Sequence, residues 1–249
     1  MRAAFFPIFF ALVFGISGAA PPDRDASPPL YYSIERDGTL YARPDRTAPL
    51  PDFRPLALQE PLFMLDAQDG WLHVRTMDDV TGFVPEEAVS NVWLRISKKQ
   101  QTLFVYRGAD LAMRISVDLG LNAIMDKVRR GGTLEPDHWR TPEGNFHIVA
   151  KNPNSKFYKA LVLNYPSAED AERGIRSGLI TEEEYDAIME ADETLEMPPM
   201  GTLLGGFIEI HGNGTGGSVN WTQGCIAVTD WWIDRLWEIV HVGTPVLVE

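Results

Sequence analysis

The sequence has 249 residues, 45% hydrophobic, 10% aromatic and 23% charged, an ordinary globular composition with enough chain for one large core or two smaller ones. A formal charge of −13 argues against nucleic acid, whose binders need a basic face, and against adhesion to anionic polymers. A single cysteine, Cys225, excludes an internal disulfide.

The chain opens like an export signal. Arg2 supplies the positive start, Ala3 to Ile16 is almost wholly apolar, and Ser17-Gly18-Ala19-Ala20 offers small residues for cleavage after Ala19. The apolar stretch is short for a membrane span. Residues 1–19 therefore read as a signal peptide, and the mature chain is expected to be periplasmic or cell-wall associated, without stable membrane insertion. Residues 20–30 carry Pro21, Pro22, Pro28 and Pro29 and read as a flexible leader.

Residues 31–90 are patterned as short strands. Leu40-Tyr41-Ala42-Arg43, Pro61 to Leu65, Trp71 to Thr76 and Val80 to Pro85 follow one another without a helical period, which predicts a small barrel. Asp69-Gly70-Trp71-Leu72-His73-Val74-Arg75, then Thr81-Gly82-Phe83-Val84, resembles the bacterial SH3-like domain, with Phe83 where tryptophan is commonest. That resemblance implies a module that binds cell-wall peptide, docks an enzyme, or acts as a plain spacer.

A second region runs over residues 92–249. Trp93 to Ser97 and Thr102 to Tyr106 predict a hairpin, Leu111 to Leu119 a further strand, and Gly120 to Arg140 a Gly- and Arg-rich loop. Thr141-Pro142-Glu143-Gly144 suits a type I turn into the strand Asn145 to Ala150. Ser167 with Asp170, and Thr181 with Glu184, have capping-box spacing for two helices, and Gly178 is placed to end the first. A last helix, Trp231 to Val240, starts from Thr229 or Asp230 and precedes a strand at Pro245 to Val248. The expected class is mainly β with short helices.

Cys225 lies in Trp221-Thr222-Gln223-Gly224-Cys225-Ile226, a loop-to-strand junction, and a thiol becomes a useful nucleophile beside a base. Of the five histidines, His211 ends the run Phe207-Ile208-Glu209-Ile210, where Phe207, Glu209 and His211 share a strand face. The glycine-rich segment Gly212 to Gly217 follows and leaves enough chain to bring Cys225 back beside the imidazole. His138, in a polar loop, is the next candidate base; His147 reads as a core or edge histidine. Gly224 permits close approach of substrate, and the Cys225 amide is placed to stabilise an oxyanion. One cysteine and one histidine make half a zinc site at best, and the glycine run lacks the Lys-Ser/Thr of a phosphate loop. No metal and no cofactor are expected.

His211-Gly212 followed by Thr222-Gln223-Gly224-Cys225-Ile226 resembles the signature of the L,D-transpeptidase catalytic domain, the YkuD-like family. Thr141-Pro142-Glu143-Gly144, Leu163-Asn164-Tyr165-Pro166, Leu204-Gly205-Gly206 and Val242-Gly243-Thr244-Pro245-Val246 match further family segments in order, from Trp93 onward. The resemblance implies a β-sandwich in which the Cys225 thiolate attacks the carbonyl joining the third residue of a peptidoglycan stem peptide to D-alanine. His211 would be base and then acid, the Gly212 carbonyl would orient its ring, and Trp221, Thr222, Gln223, Gly224 and Arg140 would contact substrate. The acyl acceptor would be an amine of another stem or of a wall-linked protein. Many members carry histidine where this chain has Gln223, and arginine where it has Ala227. Lys127, Arg129, Arg130 and Arg140 are the candidates to replace that arginine. Two alternatives stand beside this reading: a hydrolytic variant that trims tetrapeptides or releases wall-linked protein, and a wall-binding protein with a retired site. A papain-like or NlpC/P60-like peptidase places its cysteine before its histidine, and only His241 follows Cys225 here.

Overall fold

A computed structural model describes residues 27–249, so the signal peptide expected over 1–19 and most of the expected leader lie outside the described residues. The described chain has fifteen strands and three α-helices, the mainly β class with short helices that the sequence predicts.

The first five strands are β1 (Leu30–Ser33), β2 (Pro61–Gln68), β3 (Trp71–Thr76), β4 (Thr81–Pro85) and β5 (Val89–Ser90). They form an antiparallel sheet in the order β4-β3-β2-β1-β5. Alternation along β3 sends Leu72 and Val74 inward, where they pack with Leu40, Leu56, Leu62, Val84 and Val89. This pairing leaves the sheet of the expected small barrel open. No ladder joins β4 to β5, because a 3₁₀ turn at Glu86–Ala88 separates them and β5 has only two residues. The strand expected at Leu40 to Arg43 is reduced to isolated bridges from Tyr41 to Pro49 and Phe83. Pro44, Pro49, Pro51 and Pro55 remove the amide donors that a longer ladder would need.

Beyond Val92 the strands are β6 (Val92–Ser97), β7 (Thr102–Arg107), β8 (Asp110–Ser116), β9 (Leu119–Gly120), β10 (Gly144–Ser155), β11 (Tyr158–Leu163), β12 (Glu209–His211), β13 (Asn220–Thr222), β14 (Ile226–Ala227) and β15 (Pro245–Val248). Eight of them make one mixed sheet in the order β14-β12-β11-β10-β15-β6-β7-β8, while β13 pairs with β9 alone. β15 lies antiparallel to β10 and parallel to β6, so it joins the two halves of the large sheet. A single apolar core, including Leu94, Leu103, Ile148, Leu161, Ile210 and Ile226, runs along this sheet. Each such side chain contributes about 1.5–3 kcal/mol when fully removed from water.

The helices are α1 (Ala168–Arg176), α2 (Glu182–Glu193) and α3 (Asp230–Ile239). Both capping boxes form: Ser167 with Asp170, and Thr181 with Glu184. Gly178 takes a left-handed φ of 67° directly after α1. Thr229 caps α3 without a side-chain hydrogen bond. Thr141 to Glu143 contains no turn, unlike the expectation; Thr141 is buried, and its hydroxyl accepts the Gly120 amide at 3.0 Å. The first sheet meets the rest of the chain through polar contacts. The Tyr32 hydroxyl donates to Val92 O at 2.6 Å, Gln59 donates to Gly243 O at 2.5 Å, and Arg36 donates to Thr194 O and Leu195 O just past the end of α2.

Candidate active site

The parallel pairing of β12 and β14 places His211 and Cys225 on one face, with His211 opposite Ala227 and Cys225 falling beside Glu209. Ile210 is opposite Ile226 in that register, and both are fully buried in the core. Side chains alternate along a strand, so Glu209 and His211 face away from that core, and Cys225, one residue before Ile226, faces the same way. Cys225, His211 and Glu209 all line a cavity of about 1000 Å³, a size suited to a peptide. Phe207, expected on the same strand face, precedes the strand and has a left-handed φ of 55°. Its carbonyl accepts the Cys225 thiol at 3.4 Å.

His211 Nδ1 is 2.7 Å from Gly212 O. A carbonyl only accepts, so Nδ1 carries the proton and Nε2 is left as the basic nitrogen. The imidazole stacks on Phe157 at 4.3 Å, with Trp221 edge-on at 6.2 Å. Gly212 has no room for a side chain: a Cβ there would lie 2.6 Å from Asp230 Oδ1 and 2.8 Å from Phe157 O.

Burial acts on both titrating groups. It pushes the Cys225 thiol up to about 11, with the Glu209 carboxylate adding to the rise and Lys127 and Lys156 opposing it. It also pushes the His211 imidazole below its ordinary value, against the bond to Gly212 O. Both shifts favour the neutral forms, thiol and imidazole, over a thiolate–imidazolium ion pair.

The loop before Cys225 is braced from within. Thr222 Oγ1 donates to Cys225 O at 2.7 Å and accepts the Gly224 amide at 3.2 Å. Gly224 has φ 131°, and a Cβ there would lie 2.5 Å from Arg140 O, so both the conformation and the space require glycine. Trp221, Thr222 and Gln223 line the cavity. Arg140 does not. Its guanidinium is buried and bound to Asp137 O, Asp137 Oδ2 and Asp126 O, so only its backbone approaches the site, beneath Gly224. Arg129 is paired with Glu135, Arg130 lines the cavity and donates to Met200 O at 3.0 Å, and Lys127 lines it with a buried side chain. His138 is outside the lining, and His147 lies buried in β10. Among the described residues no three His, Cys, Asp or Glu side chains cluster as metal ligands, and no helix is long and apolar enough to cross a membrane.

Asp118 and Phe157 are the residues that sequence reasoning missed. Asp118 is fully buried, and its carboxylate accepts from Thr215 N at 2.6 Å, Thr215 Oγ1 at 2.8 Å, Val219 N at 2.9 Å and Trp221 Nε1 at 2.9 Å. It thus holds the loop between His211 and Cys225 and aims Trp221. Burial pushes this carboxyl up, but the bonds from Thr215, Trp221 and Val219 outweigh it and hold it below the ordinary range. Neither residue stands in a motif, so only the tertiary contacts identify them.

No match is found among curated proteins. Among solved structures, Bd1075 of Bdellovibrio bacteriovorus is 19% identical over 66% of this chain and 48% of its own, with a TM-score of 0.41. An L,D-transpeptidase fragment (residues 123–326) from Xylanimonas cellulosilytica is 15% identical over 64% of this chain and 61% of its own, at 0.39. The chain thus spans less than two thirds of each. An L,D-transpeptidase from Mycobacterium smegmatis is 15% identical over 92% of this chain and 88% of its own, at 0.36. The family model for the L,D-transpeptidase catalytic domain (YkuD) matches residues 91–248, well over half of the sequence, and the chain belongs to that family.

Proposed function

We propose that this protein is a cysteine acyltransferase acting on peptidoglycan stem peptides outside the cytoplasm. The observation that carries the reading is the cavity wall shared by Cys225 and His211, with Nδ1 of the imidazole locked onto Gly212 O. Because burial favours the neutral form of both groups, His211 Nε2 takes the thiol proton as sulfur adds to the carbonyl between the third residue and D-alanine. The Gly224 amide is already donated to Thr222, so the oxyanion is assigned to the amide of Cys225 itself. His211 then returns the proton to the leaving nitrogen, the C–N bond breaks, and a Cys225 thioester remains. An acceptor amine attacks that thioester, passes a proton through His211 to the departing sulfur, and forms a new amide. One amide is broken and one is made, with no redox change. The acceptor is an amine of a second stem or of a wall-linked protein; water in its place gives the hydrolytic outcome.

Intact-mass analysis with a stem tetrapeptide ending in D-alanine tests this. Wild type should gain the mass of the tetrapeptide less that of D-alanine, and Cys225→Ala should gain none. His211→Ala should fold and acylate about 10²–10⁴-fold more slowly. Equal labelling of wild type and Cys225→Ala would overturn the assignment.

A further inference from the structure

Two lysines of this region are buried, and their surroundings differ. Lys98 is 5% exposed, and its ammonium donates to Met125 O at 2.8 Å, Thr141 O at 2.9 Å and Glu143 Oε1 at 2.8 Å. Lys127 is 4% exposed and has no hydrogen bond or ion pair among the described residues. The Lys127 Nζ is not sealed away as the unpartnered buried nitrogens of Arg129, His138 and His147 are, so its charge is open to the cavity and available to an incoming ligand. Lys127 lines the Cys225 cavity, and its stem passes so close to Gly205 that a Cβ there would lie 3.4 Å from Lys127 Cε.

The neighbourhood is electropositive in an acidic chain. Burial pulls the Lys127 ammonium down to about 8, a thiolate at Cys225 would oppose that, Arg130 and Arg140 depress it further, and the Asp170 carboxylate raises it. Asp170 is already committed to Ser167 and Arg173, so it does not neutralise Lys127. An incoming anion would find the site prepared.

The chemistry of the proposed donor says which anion. The leaving residue is an amino acid attached by its nitrogen at the scissile bond, and its carboxylate carbon is two bonds away, about 2.5 Å. A free carboxylate on that residue therefore has to lie beside the reacting carbonyl, and so beside the thiol. We propose that Lys127 binds the α-carboxylate of the leaving amino acid and so selects donors in which a single residue follows the scissile bond. This rests on the acyltransferase reading above. Arg129 and Arg140 are excluded from the role because their guanidinium groups are paired and lie outside the cavity lining.

The test compares a stem tetrapeptide carrying a free terminal carboxylate with the same peptide as its terminal amide, reading thioester formation at Cys225 by intact mass. In wild type, amidation should slow acylation by about thirtyfold or more, the cost of removing one partner from a desolvated charge pair. Lys127→Met should slow the free acid by a similar factor, and in that variant amidation should cost nothing further. Lys127→Arg should recover part of the loss. Lys127→Gln, which keeps length and polarity without charge, stands in if the methionine variant fails to fold. A Lys127→Met or Lys127→Gln enzyme that still penalises the amide as strongly as wild type would overturn the proposal and leave Lys127 a structural role. Wild type unreactive with both peptides would instead bring down the acyltransferase reading, and this inference with it.

Discussion

At Cys225 and His211 burial moves two pKa values apart, one up and one down, and that separation dictates how the thiol reacts. A thiol near 11 is almost wholly protonated at pH 7, and its proton is donated to Phe207 O. Alkylation of Cys225 by a small neutral reagent should therefore rise about tenfold per pH unit between pH 7 and 10, following the thiolate fraction. Iodoacetamide kinetics followed by mass would show it, and a flat rate from pH 6 to 8 would mean a preformed ion pair. His211, lowered by burial, stays neutral to a more acid pH than an ordinary imidazole. At this scale the sequence was legible where chemistry needs a local pattern: His211-Gly212 and Gly224-Cys225 stand next to one another. Lys127 was legible only as one of four basic residues, because what distinguishes it from Arg140 is the absence of a partner, which no spacing encodes.

The segment between β12 and β14 depends on a carboxylate from outside it. Asp118 accepts four hydrogen bonds from Thr215, Val219 and Trp221, so Asp118→Asn should cost about 1.5–3 kcal/mol, the range for hydrogen bonds to a charged group. Urea unfolding at pH 7 measures this. The Asp118 carboxyl is lowered in the fold, so its contribution is complete above the ordinary carboxylate pKa and is lost as pH falls through the folded value. The gap between wild type and variant should accordingly shrink in acid, and acylation of Cys225 should fall in the variant as Trp221 loses its anchor. Elements with local rules were readable: the boxes at Ser167–Asp170 and Thr181–Glu184 form as spaced, and β3 occupies Trp71 to Thr76 as alternation predicts. The strand expected at Leu40 was not, since its pattern is apolar enough but the prolines around it leave too few donors.

For the whole molecule, every described residue lining the cavity lies at or beyond Lys127, so among the described residues those before Val92 build none of it. A fragment starting at Asn91 should still acylate Cys225, with its Tm lowered by the loss of the Tyr32, Arg36 and Gln59 contacts, about 2–4 °C for each kcal/mol. Thermal unfolding and intact mass check both halves; a folded fragment that cannot be acylated would show that the first sheet shapes the site. Strand order was the least readable property, because pairing β15 with both β6 and β10 joins segments far apart in sequence, and local pattern carries no record of it. That placement reaches into biosynthesis. Cys225, His211 and Lys127 are all translated before Pro245 to Val248, yet until that strand is made nothing joins β6 to β10 in the large sheet, and only the short β9–β13 pairing and the Asp118–Ala227 bridge connect its two halves. The nascent chain can complete neither its sheet nor its core while translation continues through this domain, so the sheet that carries the reactive cavity is finished only once synthesis has passed β15.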